Sequence, residues 1–179
     1  MEWNIRQNII DYNNTTMRAG VDNVRYSLEN KGDKMLYVFG VNPSIATDKK
    51  ADPTMRKIVR FAEINGFDGF AMMNLYPLRC TNPYNLPKAI DEGLHQRNLV
   101  KIKEVMGNNY HPVVLFAFGN SITAAPYLKK CLRNIVTILK PLNPKWKQIG
   151  NLTKKGYPRH PSRASYSLEL EDFDVTRYL

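Results

Sequence analysis

Two asparagines and one histidine are the side chains of this chain that are best placed for chemistry. Asn42 and Asn74 each follow a short apolar run, and His160 lies in a late loop. Pro43 restricts Asn42 to extended backbone, so the amide of Asn42 can be held rigidly toward a ligand or a water molecule. Pro161 constrains His160 in the same way. Asn-Pro-Ser and His-Pro also occur in plain turns, so each tripeptide or dipeptide alone is weak evidence of a site.

Strands and helices that would position these three residues alternate along the chain. Alternating or continuous apolar runs predict five strands, near residues 24–28, 35–39, 69–75, 112–119 and 146–150. Lys31-Gly32-Asp33 separates the first two runs and is typical of a tight turn, so these two strands are predicted to form an antiparallel hairpin. The run at 69–75 is almost wholly apolar, as expected for a strand that is covered on both faces.

Three helices are predicted between the strands. The first follows Asp52-Pro53-Thr54, which supplies a capping side chain and then a proline at the first helical position, and it should stop at Asn65-Gly66. The second lies between residues 90 and 106. The third is predicted over residues 120–132 despite Pro126. Because Asp52 fits the capping position, it is interpreted as a helix cap rather than a catalyst, and no role is assigned to Asp48.

This alternation predicts the α/β class. We expect a three-layer sandwich with a mainly parallel, roughly four-stranded central sheet, plus an N-terminal antiparallel hairpin strand. Sheets of this type bind ligands beyond the carboxyl ends of their strands, where Asn42 and Asn74 are expected. No repeat, low-complexity tract or linker interrupts the chain, so residues 1–179 are predicted to form a single domain.

The positive charge is concentrated in one stretch. The chain carries a net charge of +10, and residues 101–163 hold twelve Lys and Arg against one acid, Glu104. Such a field favours a phosphate-bearing partner, because neutralised phosphates release counterions. The alternative is a solvated lysine surface that aids solubility, and charge alone does not decide between the two.

The composition of the chain bears on its cellular location, the state of its cysteines and its need for a metal or cofactor. No apolar run approaches the roughly 20 residues of a membrane helix, and residues 1–6 lack an apolar signal region, so we expect a cytoplasmic protein without a membrane partner. Cys80 and Cys131 are far apart and are predicted to be free thiols. His95 and His111 lie near no other potential ligand, so neither a metal nor a cofactor is predicted. We expect a monomer.

The motifs of the chain resemble those of a bacterial family that is known only as a domain of unknown function. The match covers roughly residues 25–163. The shared positions are short motifs spread over that range: Arg25-Tyr26, Asn42-Pro43-Ser44, Asp52-Pro53-Thr54, Asn74-Leu75, Pro77-Leu78-Arg79, Gly119, Leu152-Thr153 and Gly156-Tyr157-Pro158-Arg159-His160-Pro161.

More distantly, the order of motifs resembles the uracil-DNA glycosylase superfamily. That superfamily has a strand ending in a Gly-x-Asp/Asn-Pro loop, a strand ending in Asn, a strand entering a Gly-Asn/Ser turn, and a late His-Pro-Ser segment. The corresponding stretches here are Gly40-Val41-Asn42-Pro43, Phe70 to Asn74, Val113 to Asn120 and His160-Pro161-Ser162. The resemblance implies an enzyme that hydrolyses an N-glycosidic bond in DNA.

Carried over residue by residue, the resemblance implies specific roles. Asn42 would position or activate the attacking water, Asn74 would read the edge of an extruded base, and His160 would stabilise negative charge on the departing base. Substrate-binding roles are further predicted for Gly40, Pro43, Ser44, Tyr76 and Ser162. Contacts with nucleic acid phosphates are predicted for Lys154, Lys155, Arg159 and Arg163.

The chain departs from the superfamily after His160-Pro161-Ser162. Arg163-Ala164-Ser165 follows, where the superfamily usually supplies a wedge that fills the hole left by a flipped base. Arg163 could plug or stack instead, on a single-stranded or free nucleotide substrate. Two alternatives to a DNA glycosylase therefore remain open, namely a non-catalytic module that binds nucleic acid or nucleotide, and an enzyme that acts on free nucleosides.

Overall fold

The computed structural model describes residues 9–178, so the polar segment at residues 1–6 lies outside the described residues. Within 9–178 the chain forms one seven-stranded sheet and three α-helices. The strands are β1 (Thr16–Ala19), β2 (Arg25–Asn30), β3 (Met35–Gly40), β4 (Gly69–Asn74), β5 (Val113–Phe116), β6 (Lys145–Ile149) and β7 (Leu170–Asp172). The helices are α1 (Pro53–Ile64), α2 (Glu92–Met106) and α3 (Leu128–Leu139).

The sheet has the strand order β1-β2-β4-β3-β5-β6-β7. The four inner strands β4, β3, β5 and β6 run parallel, and β1, β2 and β7 pair antiparallel at the two sides. The α/β class is therefore confirmed. The prediction of a roughly four-stranded, mainly parallel sheet is wrong for the sheet as a whole, because antiparallel strands extend it on both sides and supply half of its pairings.

The predicted hairpin is also wrong. β2 and β3 are joined by a short turn, but β4 lies between them and pairs with both, antiparallel to β2 and parallel to β3. All six residues of β4 are buried, so this strand requires a partner on each side and a helix layer on each face. Its pairing therefore replaces the local contact that the turn signal predicted.

Alternate residues of the central strands point to two separate cores. Leu36 and Val38 of β3 pack with the apolar face of α1, which includes Ile58. Tyr37 and Phe39 point to the opposite side, where α2 and α3 cover the sheet. The chain thus forms three layers, and the period of two along β3 decides which side chain joins which layer.

Helix α1 begins as predicted, with Asp52 as its cap and Pro53 as its first residue. Asp52 Oδ1 accepts a hydrogen bond of 2.8 Å from the backbone N–H of Met55, and Pro53 occupies the first turn.

The third predicted helix is wrong in its position. Residues Gly119–Thr123 form a 3-10 turn, and α3 begins at Leu128, because Pro126 cannot donate a helical hydrogen bond. Between residues 9 and 178, no helix is long and apolar enough to cross a membrane.

Candidate functional site

A cavity of about 1160 Å³ lies at the carboxyl ends of the parallel strands. Its wall combines the loop after β3, the last residue of β4, the turn after β5 and the long loop after β6, and it also includes the first turn of α1. Ligand sites of parallel sheets lie at this edge. Of the eight residues predicted from the sequence for substrate or water, six line this cavity, and their placement is described below.

Asn74 is the most deeply buried polar residue of the cavity wall. Its exposed fraction is 1%, and neither Nδ2 nor Oδ1 has a hydrogen-bond partner. Gly40, at the end of the neighbouring strand, leaves room for this amide, since a Cβ on Gly40 would lie 2.9 Å from Asn74 Oδ1. A buried amide without partners costs free energy, of the order of 1–3 kcal/mol. Asn74 therefore presents one unsatisfied donor group and one unsatisfied acceptor to the cavity.

The backbone of Asn74 is held from the opposite side of the sheet. Asn98 on α2 is fully buried and donates through Nδ2 to the carbonyl oxygens of Asn74, at 3.0 Å, and of Leu75, at 3.4 Å. These bonds fix the strand end from which the Asn74 side chain projects. Asn98 was not singled out in the sequence, because its position within an amphipathic helix gives no sign of this contact.

The amide of Asn42 is used in part by the protein itself. Nδ2 donates to the carbonyl oxygens of Pro43, at 3.0 Å, of Leu78, at 3.3 Å, and of Cys80, at 2.8 Å. The nitrogen therefore ties the loop after β3 to the segment after β4. Oδ1 makes no hydrogen bond to residues 9–178, so it is the side-chain atom of Asn42 that is available for a water molecule or ligand.

His160 is a hydrogen-bond donor through Nε2. The backbone N–H of Ser162 donates to Nδ1 at 3.2 Å, and Ser162 Oγ lies 2.7 Å from the same atom. An amide N–H can only donate, so Nδ1 is an acceptor and the neutral ring carries its proton on Nε2. Burial lowers the pKa of His160, the charge of Asp52 opposes this shift, and Arg163 adds to it. The imidazole is thus neutral at pH 7.

Three positively charged side chains lie on the same cavity wall as this histidine. Lys154, Arg159 and Arg163 all line the cavity, and Lys154 and Arg163 are exposed. Arg159 Nε donates to the carbonyl oxygen of Asn151 at 2.8 Å, which holds the side chain against the loop. Lys155, predicted with them, does not line the cavity. We call Lys154, Arg159 and Arg163 the basic rim.

The remaining predicted residues divide into two groups. Ser44 and Ser162 line the cavity, whereas Pro43 is buried behind it. Tyr76 was predicted to bind substrate, and the structure contradicts this placement. Its exposed fraction is 1%, its ring packs 5.1 Å from that of Tyr127, and its hydroxyl accepts from the backbone N–H of Asp91 at 3.2 Å. The chain turns after Asn74 so that Tyr76 enters the core under α2 and α3.

Two charged residues of the wall were not predicted as ligand-binding. Asp52 caps α1, as expected, and its side chain also lines the cavity. Arg25 is the first residue of β2, with an exposed fraction of 2%, and it lines the same cavity. The available signal was the pair Arg25-Tyr26, which is among the positions that the chain shares with the family of unknown function.

The potential metal ligands are dispersed. Within residues 9–178, no group of three or more His, Cys, Asp or Glu could hold a metal ion. Cys80 and Cys131 are free thiols, as predicted. Cys131 is buried in α3, and burial raises its pKa to about 12. Cys80 lies on the cavity wall, where Sγ donates to the carbonyl oxygen of Asn82 at 3.0 Å.

Comparison with known proteins identifies a family. The family described as Protein of unknown function (DUF1643) matches residues 25–162. No curated protein and no solved structure matches the chain. The matched range begins at Arg25 and ends at Ser162, so it contains Asn42, Asn74 and His160 together with the four parallel strands. Because the match spans well over half of the sequence, the chain belongs to the DUF1643 family.

Proposed function

We propose that this protein binds a nucleobase in the cavity and hydrolyses the N-glycosidic bond that joins the base to its sugar in DNA. The observation that carries the proposal is the buried amide of Asn74, which has one donor group and one acceptor without partners. Nucleobase edges carry adjacent donors and acceptors that an amide can match in a bidentate manner. A base that enters the cavity would satisfy both atoms of this amide.

The protonation state of His160 fits a role in stabilising the leaving group. Cleavage of an N-glycosidic bond develops positive charge on the sugar and negative charge on the base. A neutral imidazole with its proton on Nε2 can donate a hydrogen bond to an oxygen or nitrogen of the departing base. Ser162 supports this role, because its backbone N–H and its hydroxyl keep Nδ1 in the acceptor state. The proton therefore remains on the atom that is free to face a ligand.

Asn42 suits the attacking water. Its Oδ1 is free of hydrogen bonds to the described residues, while three carbonyl contacts fix its Nδ2. A fixed acceptor can orient a water molecule toward the sugar without removing its proton outright. Asp52 is the carboxylate on the cavity wall that can accept that proton, although one of its oxygens already caps α1. Water activation by this set is expected to be slow.

The basic rim suits a phosphate backbone. Lys154 and Arg163 are exposed at the edge of the cavity, so their side chains can reach phosphates on either side of an extruded nucleotide. Ile45 stands on the same wall with an exposed fraction of 69%, in the loop that follows Asn42-Pro43-Ser44. An exposed aliphatic side chain at this place can stack against a neighbouring base, in the absence of a wedge after Ser162.

A second function is favoured by the bonding of Asn42. Because its Nδ2 is wholly occupied in holding two loops together, the residue has a structural role that does not require catalysis. The alternative is a module that binds nucleic acid or nucleotide through Asn74 and the basic rim without cleaving it. Both functions require the same base pocket, so only turnover separates them.

An abasic-site assay tests the proposal. Single-stranded and duplex oligonucleotides that carry uracil, mismatches or modified bases are incubated with the protein, and abasic sites are revealed by strand cleavage in alkali. Activity that is lost in His160→Ala and retained in His111→Ala supports the glycosylase, since His111 is an exposed histidine outside the cavity. Binding that depends on Asn74 with no cleavage of any substrate supports the module and removes the glycosylase.

A further inference from the structure

Arg25 is a buried cation without an anion. Its exposed fraction is 2%, and no carboxylate within residues 9–178 forms an ion pair with it. Nη1 donates to the carbonyl oxygen of Ala46 at 2.7 Å, whereas Nε is buried without a partner and Nη2 makes no hydrogen bond to the described residues. A guanidinium that is removed from water and left unpaired destabilises the folded chain.

The loop that Arg25 contacts does not need it. Arg79 Nη1 donates to Ala46 O at 3.2 Å and to Ser44 O at 2.8 Å. The carbonyl of Ala46 therefore keeps a donor if Arg25 is removed. A hydrogen bond to this carbonyl does not explain why a full charge is buried, because one neutral donor would satisfy the same oxygen.

The surroundings of Arg25 favour an anionic ligand. The first turn of α1 lines the same cavity, and although Pro53 has no N–H and Met55 N–H donates to Asp52, the N–H of Thr54 makes no hydrogen bond to the described residues and can donate to an anion. Burial, together with the charge of Arg79, lowers the pKa of Arg25 to about 10, so the group is still cationic at pH 7. Asp52 and Tyr12 oppose this shift, which means that Asp52 compensates part of the charge without forming an ion pair.

We propose that Arg25 binds a phosphate of the ligand side-on through Nε and Nη2. These two N–H groups form a planar fork that matches two oxygens of one phosphate, and a lysine lacks this fork. The proposal rests on the proposed function and deepens it, because it assigns the substrate as a nucleotide whose terminal phosphate enters the cavity. Two sources share this chemistry, namely a free nucleoside 5′-monophosphate and the phosphorylated 5′ end of a DNA strand.

The cavity accommodates both ends of such a ligand. Its volume of about 1160 Å³ exceeds that of ordinary ligand pockets, which span roughly 300–1000 Å³. Asn74 and Arg25 are both at least 98% buried, and both line this one cavity. A nucleotide would place its base against the unsatisfied amide of Asn74 and its phosphate against the unsatisfied guanidinium of Arg25, so one molecule would satisfy both side chains.

Binding measurements with matched ligands test this subsite. Affinities for the four deoxynucleosides, their 5′-monophosphates and short oligonucleotides with and without a 5′-phosphate are measured by calorimetry. We expect the wild type to bind the preferred monophosphate at least ten-fold more tightly than its nucleoside. This preference disappears in Arg25→Met, is reduced in Arg25→Lys, and is unchanged in Arg56→Met, since Arg56 is an exposed residue of α1 outside the cavity.

Inorganic phosphate gives an independent readout. We expect it to raise the thermal unfolding midpoint of the wild type and of Arg56→Met, and to leave that of Arg25→Met unchanged. Equal affinity of the wild type for nucleosides and monophosphates overturns the proposal. So does an undiminished preference in Arg25→Met, or in Arg25→Lys if the methionine variant does not fold.

The results also separate this inference from the proposed function. Asn74→Ala should weaken nucleoside and monophosphate binding by the same factor, whereas changes at Arg25 should act on the phosphate preference alone. If inorganic phosphate binds through Arg25 while no nucleoside binds and no base is released, the subsite stands and the proposed function fails. If abasic sites form but no phosphate effect depends on Arg25, the proposed function stands and the subsite fails.

Discussion

Gly119 packs directly against His160. A Cβ atom on Gly119 would lie 3.0 Å from the Cβ of His160 and 3.3 Å from its backbone nitrogen. Gly119 also has a φ of +58°, which L side chains rarely adopt. The absence of a side chain at this turn after β5 therefore lets the loop that carries the histidine approach the sheet edge. The position of the imidazole depends on a residue that has no functional group of its own.

Gly119→Ala should displace His160 and impair ligand binding. The added methyl group meets backbone as well as side-chain atoms of His160, so the loop itself must shift. The left-handed conformation adds roughly 1–2 kcal/mol of strain. We expect a lower free energy of unfolding by urea denaturation and at least a ten-fold weaker affinity for nucleotides.

Gly107→Ala is the control for this change. Gly107 has a φ of +55° but no atom within 4 Å of an added Cβ, and it ends α2 outside the cavity. This variant should lose stability and keep its affinity for nucleotides. A comparable loss of affinity in both variants would show that the effect at Gly119 is one of stability alone.

Asn74→Ala should stabilise the protein without ligand. The native amide is buried with two unsatisfied atoms, and removing it relieves a cost of about 1–3 kcal/mol, while the vacated space joins the open cavity. We expect a higher free energy of unfolding together with the loss of nucleotide binding. Such a gain in stability with a loss of function is typical of a ligand-binding residue.

Asn98→Ala should have the opposite effect on stability. This substitution leaves the carbonyl oxygens of Asn74 and Leu75 without their side-chain donor, at a cost of about 1–3 kcal/mol. It also removes Oδ1 of Asn98, which is buried without a partner, so the net loss of stability is smaller than that cost. Urea denaturation of both variants at pH 7 measures whether each substitution raises or lowers the free energy of unfolding. A loss of stability in Asn74→Ala equal to that in Asn98→Ala would mean that both asparagines serve the fold.

Much of the fold could be predicted from local patterns. Asp52-Pro53 marked the start of α1, and the apolar run of β4 marked a strand that is covered on both faces. The pairing of β2 could not be predicted in this way. Its partner β4 is distant in sequence, and a turn signal between β2 and β3 describes only the local path of the chain. The edge strands β1 and β7 were missed because they are short and polar.

Sequence analysis could identify those residues of the site that lie at the end of a strand or directly after it. Asn42 and Asn74 were placed by the rule that ligands bind beyond the carboxyl ends of parallel strands, and both line the cavity. Tyr76 lies two residues beyond β4, and no pattern shows that the chain turns it into the core. Arg25 was missed because its burial depends on β2, Arg79 and the loop at Ala46, which meet only in three dimensions.

The stability of the protein should fall as the pH drops below about 6.5, partly because of His160. Burial lowers the pKa of this imidazole below the value of 6.5 that it has when unfolded. Between the lowered pKa and 6.5 the unfolded chain therefore binds a proton that the folded chain does not, so the free energy of unfolding decreases with decreasing pH. Urea denaturation between pH 5 and 8 should show a weaker pH dependence for His160→Gln than for the wild type.

His95 must be considered in the same experiment. Burial also lowers its pKa, in opposition to Glu92, and its Nε2 lies 2.9 Å from Asn134 Nδ2 on α3. His95→Gln should therefore reduce the pH dependence as well, whereas only His160→Gln should weaken nucleotide binding at pH 7. An unchanged pH profile in His160→Gln would contradict the lowered pKa of this ring.

Salt should weaken the binding of single-stranded DNA through the basic rim. Each phosphate contact contributes about −0.7 to the slope of log K against log salt concentration for single strands. Lys154→Gln and Arg163→Gln should each make the slope less steep by about that amount, because both side chains are exposed at the cavity. Lys103→Gln is the control, since this exposed lysine of α2 does not line the cavity. Equal slopes in all three variants and the wild type would place the DNA on another surface.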